Sequence, residues 1–165
     1  MPVTSSGTAK VTLPTDREIL ITREFAARPE LVWRAWTTPE LIERWWAGQR
    51  GAMKLAEVDL RVGGSWRYVM EAQGGFEVAF HGEFRELDPG ERIVTTEVFE
   101  GAPPAPEGED VLNVVTFAEA NGGTRLELLV QCPSQEVRDI IMGSGMETGM
   151  QEQYDALDAL VASLG

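Results

Sequence analysis

Cysteine and histidine are almost missing from this 165-residue chain, which has one of each, Cys132 and His81. A single cysteine excludes an intrachain disulfide and a multi-thiolate metal centre, and a single histidine excludes paired-histidine zinc motifs within one chain. No metal and no cofactor are expected. Positive charge is also scarce: 14 Lys and Arg stand against 27 Asp and Glu, for a net charge of −13. Polyanions are repelled at long range, so nucleic acid and an anionic membrane are not expected partners. Long apolar runs are missing too. Nowhere do about 18 apolar residues follow one another, and the opening MPVTSSGTAKVTLPT has neither the basic start nor the apolar stretch of a signal peptide. A cytoplasmic protein is the expectation.

What is present is an ordinary globular composition, 43% hydrophobic and 25% charged, at a length that suits one domain with a real core. Residues 1–15 are polar and read as a flexible N-terminal arm, with a single domain over 16–165. REILITREF predicts a strand with Ile19, Ile21 and Arg23 on one face and Leu20, Thr22 and Glu24 on the other. RPELVWRAWTTPELIERWW predicts two short helices, opened by Pro29 and Pro39 at their first positions, with Thr38 placed to cap the second. Leu31, Val32, Ala35 and Trp36 form the apolar stripe of the first, and Leu41, Ile42, Trp45 and Trp46 repeat that spacing in the second.

From about residue 52 to 132 the apolar period becomes two, with turn signals roughly every ten residues, so six further strands in an antiparallel meander are expected. Asn-Gly at 121–122 and Asp-Pro-Gly at 88–90 mark hairpins. Trp66, Tyr68 and Met70 share one side of a strand, and Phe76, Val78, Phe80, Gly82 and Phe84 share one side of the next. Leu126, Leu128 and Val130 continue the apolar face in the last strand. The proline-rich, acidic segment at 101–110 is expected to project as a mobile flap. From Ser134, a reasonable N-cap, to Leu164 the spacing is helical again, with Met146, Met150, Tyr154, Leu157, Val161 and Leu164 in one stripe that must lie against the sheet.

Three glycines, Gly143, Gly145 and Gly149, sit in the first half of that helix, where each costs about 1 kcal/mol relative to alanine. Close packing or a kink is one explanation, and a hollow between helix and sheet is the other. The five tryptophans suit any core of this size, yet Tyr68, Gln153 and Tyr154 bring polar groups to the same region, the mixture found in pockets for small molecules. The candidate lining is Trp45, Trp46, Trp66, Tyr68, Phe80, Met146, Gly149, Met150, Gln153 and Tyr154. On a helix, neighbours point about 100° apart, so one of Trp45 and Trp46 is expected in the core and the other toward the mouth. His81 is expected on the outer sheet face, and a Cys132–His81 nucleophile pair lacks a third group to support it. Glu71, Glu77, Glu83 and Glu86 alternate with apolar residues as a solvated face does, whereas Glu97, in VTTEVF, could turn either way.

The ordered run FAARPELVWRAWTTPELIERWW, VGGSWRYVM, FHGEFREL, ERIVTTEVF and SGMETGMQEQYDALDAL resembles the family of activator of heat-shock protein 90 ATPase homologues, in the START-like or SRPBCC superfamily. The resemblance runs from about Arg17 to Leu164. It implies an α+β helix-grip (Bet v 1-like) fold: a curved antiparallel sheet of about seven strands round a long C-terminal helix, with two short helices after the first strand and a cavity between. The family's paired tryptophans match Trp45 and Trp46, its glycine-glycine-x-tryptophan strand matches Gly63 to Trp66, and its helix entry matches Gly145 and Met146. Met150 and Tyr154 depart from common family residues, which bears on cavity size and polarity.

Three functions are in contention. The first is binding of a small hydrophobic or aromatic molecule in that cavity. The second is an enzyme of the polyketide cyclase/dehydratase or hydrolase type in the same place, with Tyr68, Tyr154 or Glu97 as acid or base. The third is a protein-interaction module or stress-response co-chaperone-like protein using the outer sheet face or flap, including self-association as a homodimer.

Overall fold

The computed structural model describes residues 9–48, 51–101 and 108–164. Eight strands and four helices follow in order: β1 (Lys10–Thr12), β2 (Glu18–Phe25), α1 (Pro29–Thr37), α2 (Pro39–Ile42), β3 (Gly51–Val58), β4 (Ser65–Ala72), β5 (Glu77–Asp88), β6 (Arg92–Phe99), β7 (Val111–Ala120), β8 (Gly123–Gln131), α3 (Gln135–Gly143) and α4 (Met146–Leu164). The strands form one curved sheet in the order β1-β2-β8-β7-β6-β5-β4-β3, and every pairing is antiparallel. Hairpins link β3 through β8 as a meander, and β2 adds to β8. The tight β7–β8 turn has Asn121 at φ 52° and Gly122 at φ 78°, the left-handed pair that a two-residue hairpin loop demands.

The strand count is eight rather than about seven, because residues 10–12 of the expected arm pair with β2. A buried apolar contact outweighs the polar composition there: Ala9 and Val11 are fully buried, and the side chain of Gln151 on α4 accepts from Ala9 N (3.1 Å) and donates to Ala9 O (2.9 Å). The amide of Gln151 thus continues the hydrogen bonding of a strand end. Most of the expected acidic flap, residues 102–107, lies outside the described residues.

The terminal helical pattern is two helices, not one. Ser134 caps α3 by accepting from Val137 N, and Gly145 at φ 83° turns the chain between α3 and α4, a conformation open to glycine without strain. Of the three glycines, this one serves a kink. Thr38 occupies the N-cap position of α2, but its side chain makes no capping hydrogen bond. The helical spacing continues past α2 in turns, with Trp46 N bonded to Ile42 O, so Ile42 and Trp45 reach the buried side as the pattern requires.

The core lies between the inner sheet face and α4, around Ile19, Ile21, Ile93, Leu126, Leu157 and Val161. Phe76 does not continue the inward row of β5. It precedes the strand, at the tip of the β4–β5 hairpin, and is 61% exposed. A bulge between Phe84 and Glu86 shifts the register further along the same strand. Gly82 has a packing reason: a Cβ there would overlap the Thr96 carbonyl oxygen and crowd Trp66 Nε1, which donates to that carbonyl at 3.2 Å.

Arg23 is the largest departure from simple patterning. It follows Ile19 and Ile21 on the inner face, is 6% exposed, lies 5.2 Å from the Phe25 ring and pairs with Asp155 (2.9 Å) and Asp158 (3.5 Å) on α4. The two aspartates keep much of their solvent contact, so the buried partner is the guanidinium.

Two measurements check this packing. Gly82→Ala should lower the unfolding free energy by about 2–3 kcal/mol in chemical denaturation, the cost of forcing a methyl into a full site. Asp155→Asn with Asp158→Asn should cost about 3 kcal/mol, because it strands a buried cation. Arg23→Met should cost less than that double variant, since the aspartates it releases are solvated.

Candidate functional site

Trp45 and Trp46 part company as their 100° separation requires. Trp45 is 4% exposed, donates from Nε1 to Ala35 O at 2.9 Å and packs 5.0 Å from the Trp36 ring. Trp46 is half-buried and meets Tyr68 of β4 and Phe80 of β5, with ring centroids 5.4 Å and 5.6 Å away, both edge-on. Tyr68 and Phe80 are direct cross-strand partners. Trp66 stacks 4.7 Å from Tyr68 and is itself buried. The tryptophan after α2 therefore forms an aromatic wall with two neighbouring strands.

Helix α4 divides the remaining candidates. At 100° per residue, Met150, Tyr154, Leu157 and Val161 point at the sheet, and all four are buried. Gln151, Asp155 and Asp158 fall on one flank, where they bind Ala9 and Arg23. Met146, Gly149 and Gln153 fall on the other flank, where Gln153 Nε2 donates to the Trp46 carbonyl oxygen. All three are half-buried. One flank is thus clamped to β1 and β2, and the other faces the aromatic wall. Met150 and Tyr154 are core contacts, Tyr154 packing edge-on at 6.0 Å from both Phe25 and Trp36.

A polar group lies within this apolar interior. β6 pairs with β7 so that Thr95 opposes Asn113 and Glu97 opposes Val111, and alternation from the buried Ile93 and Val115 turns Glu97 and Asn113 inward. Burial raises the Glu97 pKa, partly offset by a hydrogen bond from the Asn113 side chain. Burial also pushes the Tyr68 and Tyr154 hydroxyls well above their usual range; at Tyr154 the Arg23 charge partly offsets this, and the Glu97 charge adds to both. Asn113 Oδ1 and Tyr154 Oη are buried and have no hydrogen-bond partner among the described residues. Glu97 was readable only as ambiguous, and Asn113 gave no signal: a polar residue in VLNVVTF is a buried acceptor or an exposed amide depending on register.

His81 lies on the exposed side of β5, its Nδ1 2.9 Å from Glu100 Oε2, with Arg67 bidentate on the same carboxylate at 2.8 and 2.9 Å. Hydrogen bonds from Arg67 and His81 lower the Glu100 pKa to about 2. Cys132 is buried beyond the end of β8, and β7 and β6 separate that strand from β5, so no Cys132–His81 pair exists. Burial raises the thiol pKa, which makes it a poor nucleophile. Glu71, Glu77, Glu83 and Glu86 are exposed. The described residues contain no cluster of three metal-ligating side chains and no helix long and apolar enough to cross a membrane. Two open surface grooves, about 350 Å³ between Glu43–Gly48 and Gly51–Met53, and about 290 Å³ beside Ala26–Arg28 and Val161, include none of the candidate residues.

A curved antiparallel sheet gripping a long terminal helix, with two short helices after the second strand, defines a helix-grip protein. Residues 26–162 match the family model described as Activator of Hsp90 ATPase homolog 1-like protein, and the chain belongs to that family. Among solved structures it is similar to a protein of Rhodobacter sphaeroides (27% identity, TM-score 0.85, covering 95% of this chain and 99% of that one). It is also similar to protein Ms6760 of Mycobacterium smegmatis (28%, 0.80, 96% and 96%) and to protein CV1439 of Chromobacterium violaceum (31%, 0.76, 89% and 98%). No curated protein matches the chain in sequence.

The raised Glu97 pKa has a definite sign. Its folded value lies above the ordinary 4.5, so its contribution to stability is complete below that pH and is lost as pH rises through the raised value. Glu97→Gln should therefore be more stable than the parent at pH 8, with the difference shrinking toward pH 4. Paired denaturation curves across that range test this, and a difference independent of pH contradicts it.

Proposed function

We propose that the protein binds a small hydrophobic or aromatic molecule between the inner sheet face and the Met146–Gly149–Gln153 flank of α4. The observation that carries this reading is the wall of Trp46, Tyr68 and Phe80. The three rings meet on the interior side of the sheet, yet each keeps accessible surface. Binding there requires no chemistry beyond burial. An apolar ligand displaces water from the rings at a gain of roughly 25 cal/mol per Å², and edge-on aromatic contacts add to it. Gly149 leaves the facing helix flank without a side chain, and the contacts of Gln151, Asp155 and Asp158 on the opposite flank hold α4 in place. The family supplies the fold; activation of a chaperone is not carried over with it.

A catalytic reading of the same place has one observation in its favour: a carboxyl pushed toward its protonated form is the state a general acid needs. Under that reading Glu97→Gln abolishes turnover and leaves ligand binding intact.

The binding reading is tested with N-phenyl-1-naphthylamine, a neutral fluorescent probe. Its emission should rise saturably with one site per chain, and Trp46→Ala or Phe80→Ala should weaken binding about tenfold, consistent with the loss of an aromatic anchor. A non-saturating response in the parent protein contradicts the proposal, as does unchanged affinity in both variants.

A further inference from the structure

A wall of aromatic rings selects little beyond size and apolarity, but the inner polar groups select by hydrogen bonding. The Asn113 amide has one acceptor and two donors, and the β6–β7 register sets it diagonally beside Glu97 on the same inner face. Its acceptor, Oδ1, is buried without a partner among the described residues. Tyr154, 2% exposed, holds a second buried polar atom in the same condition. Strand register places Glu97 and Asn113 on the inner sheet face, and Tyr154 of α4 packs toward that face through Phe25. Buried polar atoms in folded proteins are nearly always satisfied, so each of these two is open to a hydrogen bond from a water or a ligand atom.

The sign of that partner follows from what the neighbourhood offers. An amide oxygen can only accept, so the ligand atom opposite it must donate. An anionic end would face that oxygen and the Glu97 carboxyl. The nearby buried cation, Arg23, already pairs with Asp155 and Asp158. A cationic end would need Glu97 ionised in a place where burial opposes ionisation.

Resting on the reading of the interior as a ligand site, we infer that the ligand is neutral and carries a hydrogen-bond donor at its buried end. That donor binds Asn113 Oδ1. Asn113 is then the residue that sets specificity, while Trp46, Tyr68 and Phe80 hold the apolar body.

Four matched probes titrated calorimetrically into the full chain separate the terms: naphthalene, 2-methoxynaphthalene, 2-naphthol and 2-naphthoate. The expected order has 2-naphthol about tenfold tighter than naphthalene and 2-methoxynaphthalene, a change on the scale of one buried hydrogen bond, with 2-naphthoate weakest. Asn113→Leu should erase the advantage of 2-naphthol over naphthalene and 2-methoxynaphthalene. Asn113→Ala gives the same readout if the leucine variant fails to fold. Equal binding of 2-naphthol and 2-methoxynaphthalene overturns the donor rule, and so does an advantage that survives at position 113 in the variants. Tightest binding by 2-naphthoate overturns neutrality. If none of the four binds, the interior ligand site falls, and this inference with it.

Discussion

An α-helix with its side chains is about 10 Å across, whereas eight strands spaced about 4.8 Å apart span roughly 35 Å. One helix can cover the inner face of such a sheet only if the sheet bends round it. Everything else in the molecule answers that constraint. The stripe of Met150, Tyr154, Leu157 and Val161 fills the middle of the bend. On one side the gap is closed by direct contacts to β1 and β2 through Gln151, Asp155 and Asp158. On the other side Gln153 donates a hydrogen bond to the chain after α2, where Trp46 meets the rings of Tyr68 and Phe80.

This asymmetry explains why adjacent tryptophans do different work. Trp45 ties the segment after α2 to α1 through the Ala35 carbonyl and is structural. Trp46 crosses toward β4 and β5, where it meets Tyr68 and Phe80. The Trp66 indole lies over Gly82 and reaches the Thr96 carbonyl, with its ring 4.7 Å from Tyr68. The polar pair Glu97 and Asn113 sits on the two strands next in order, β6 and β7. The candidate site therefore draws on four consecutive strands and one helix flank.

Much of this was legible in the residues. Alternation in β4, β5 and β8 identified the inner face, two prolines opened the short helices, and the 100° step separated the tryptophans. The misses have physical causes. β1 is three residues long and is held by tertiary contacts, the burial of Val11 and the Gln151 bonds, so its own composition says nothing of it. The break at Gly145 competes with a helical stripe that continues on either side. Arg23 was placed on the apolar face, but its burial depends on two aspartates more than 130 residues away. The orientation of Glu97 and Asn113 depends on the register of β6 with β7, which Thr-Thr-Glu and Leu-Asn-Val leave undetermined.

The proposed ligand site requires an apolar hollow between α4 and the rings of Trp46, Tyr68 and Phe80. Crystals pressurised with xenon test it directly, because xenon enters apolar cavities and needs no hydrogen bonds. Xenon density bounded by those three rings and the Met146–Gln153 flank of α4 is the expected result. Side chains closed over the rings, with no xenon between sheet and helix, would contradict it.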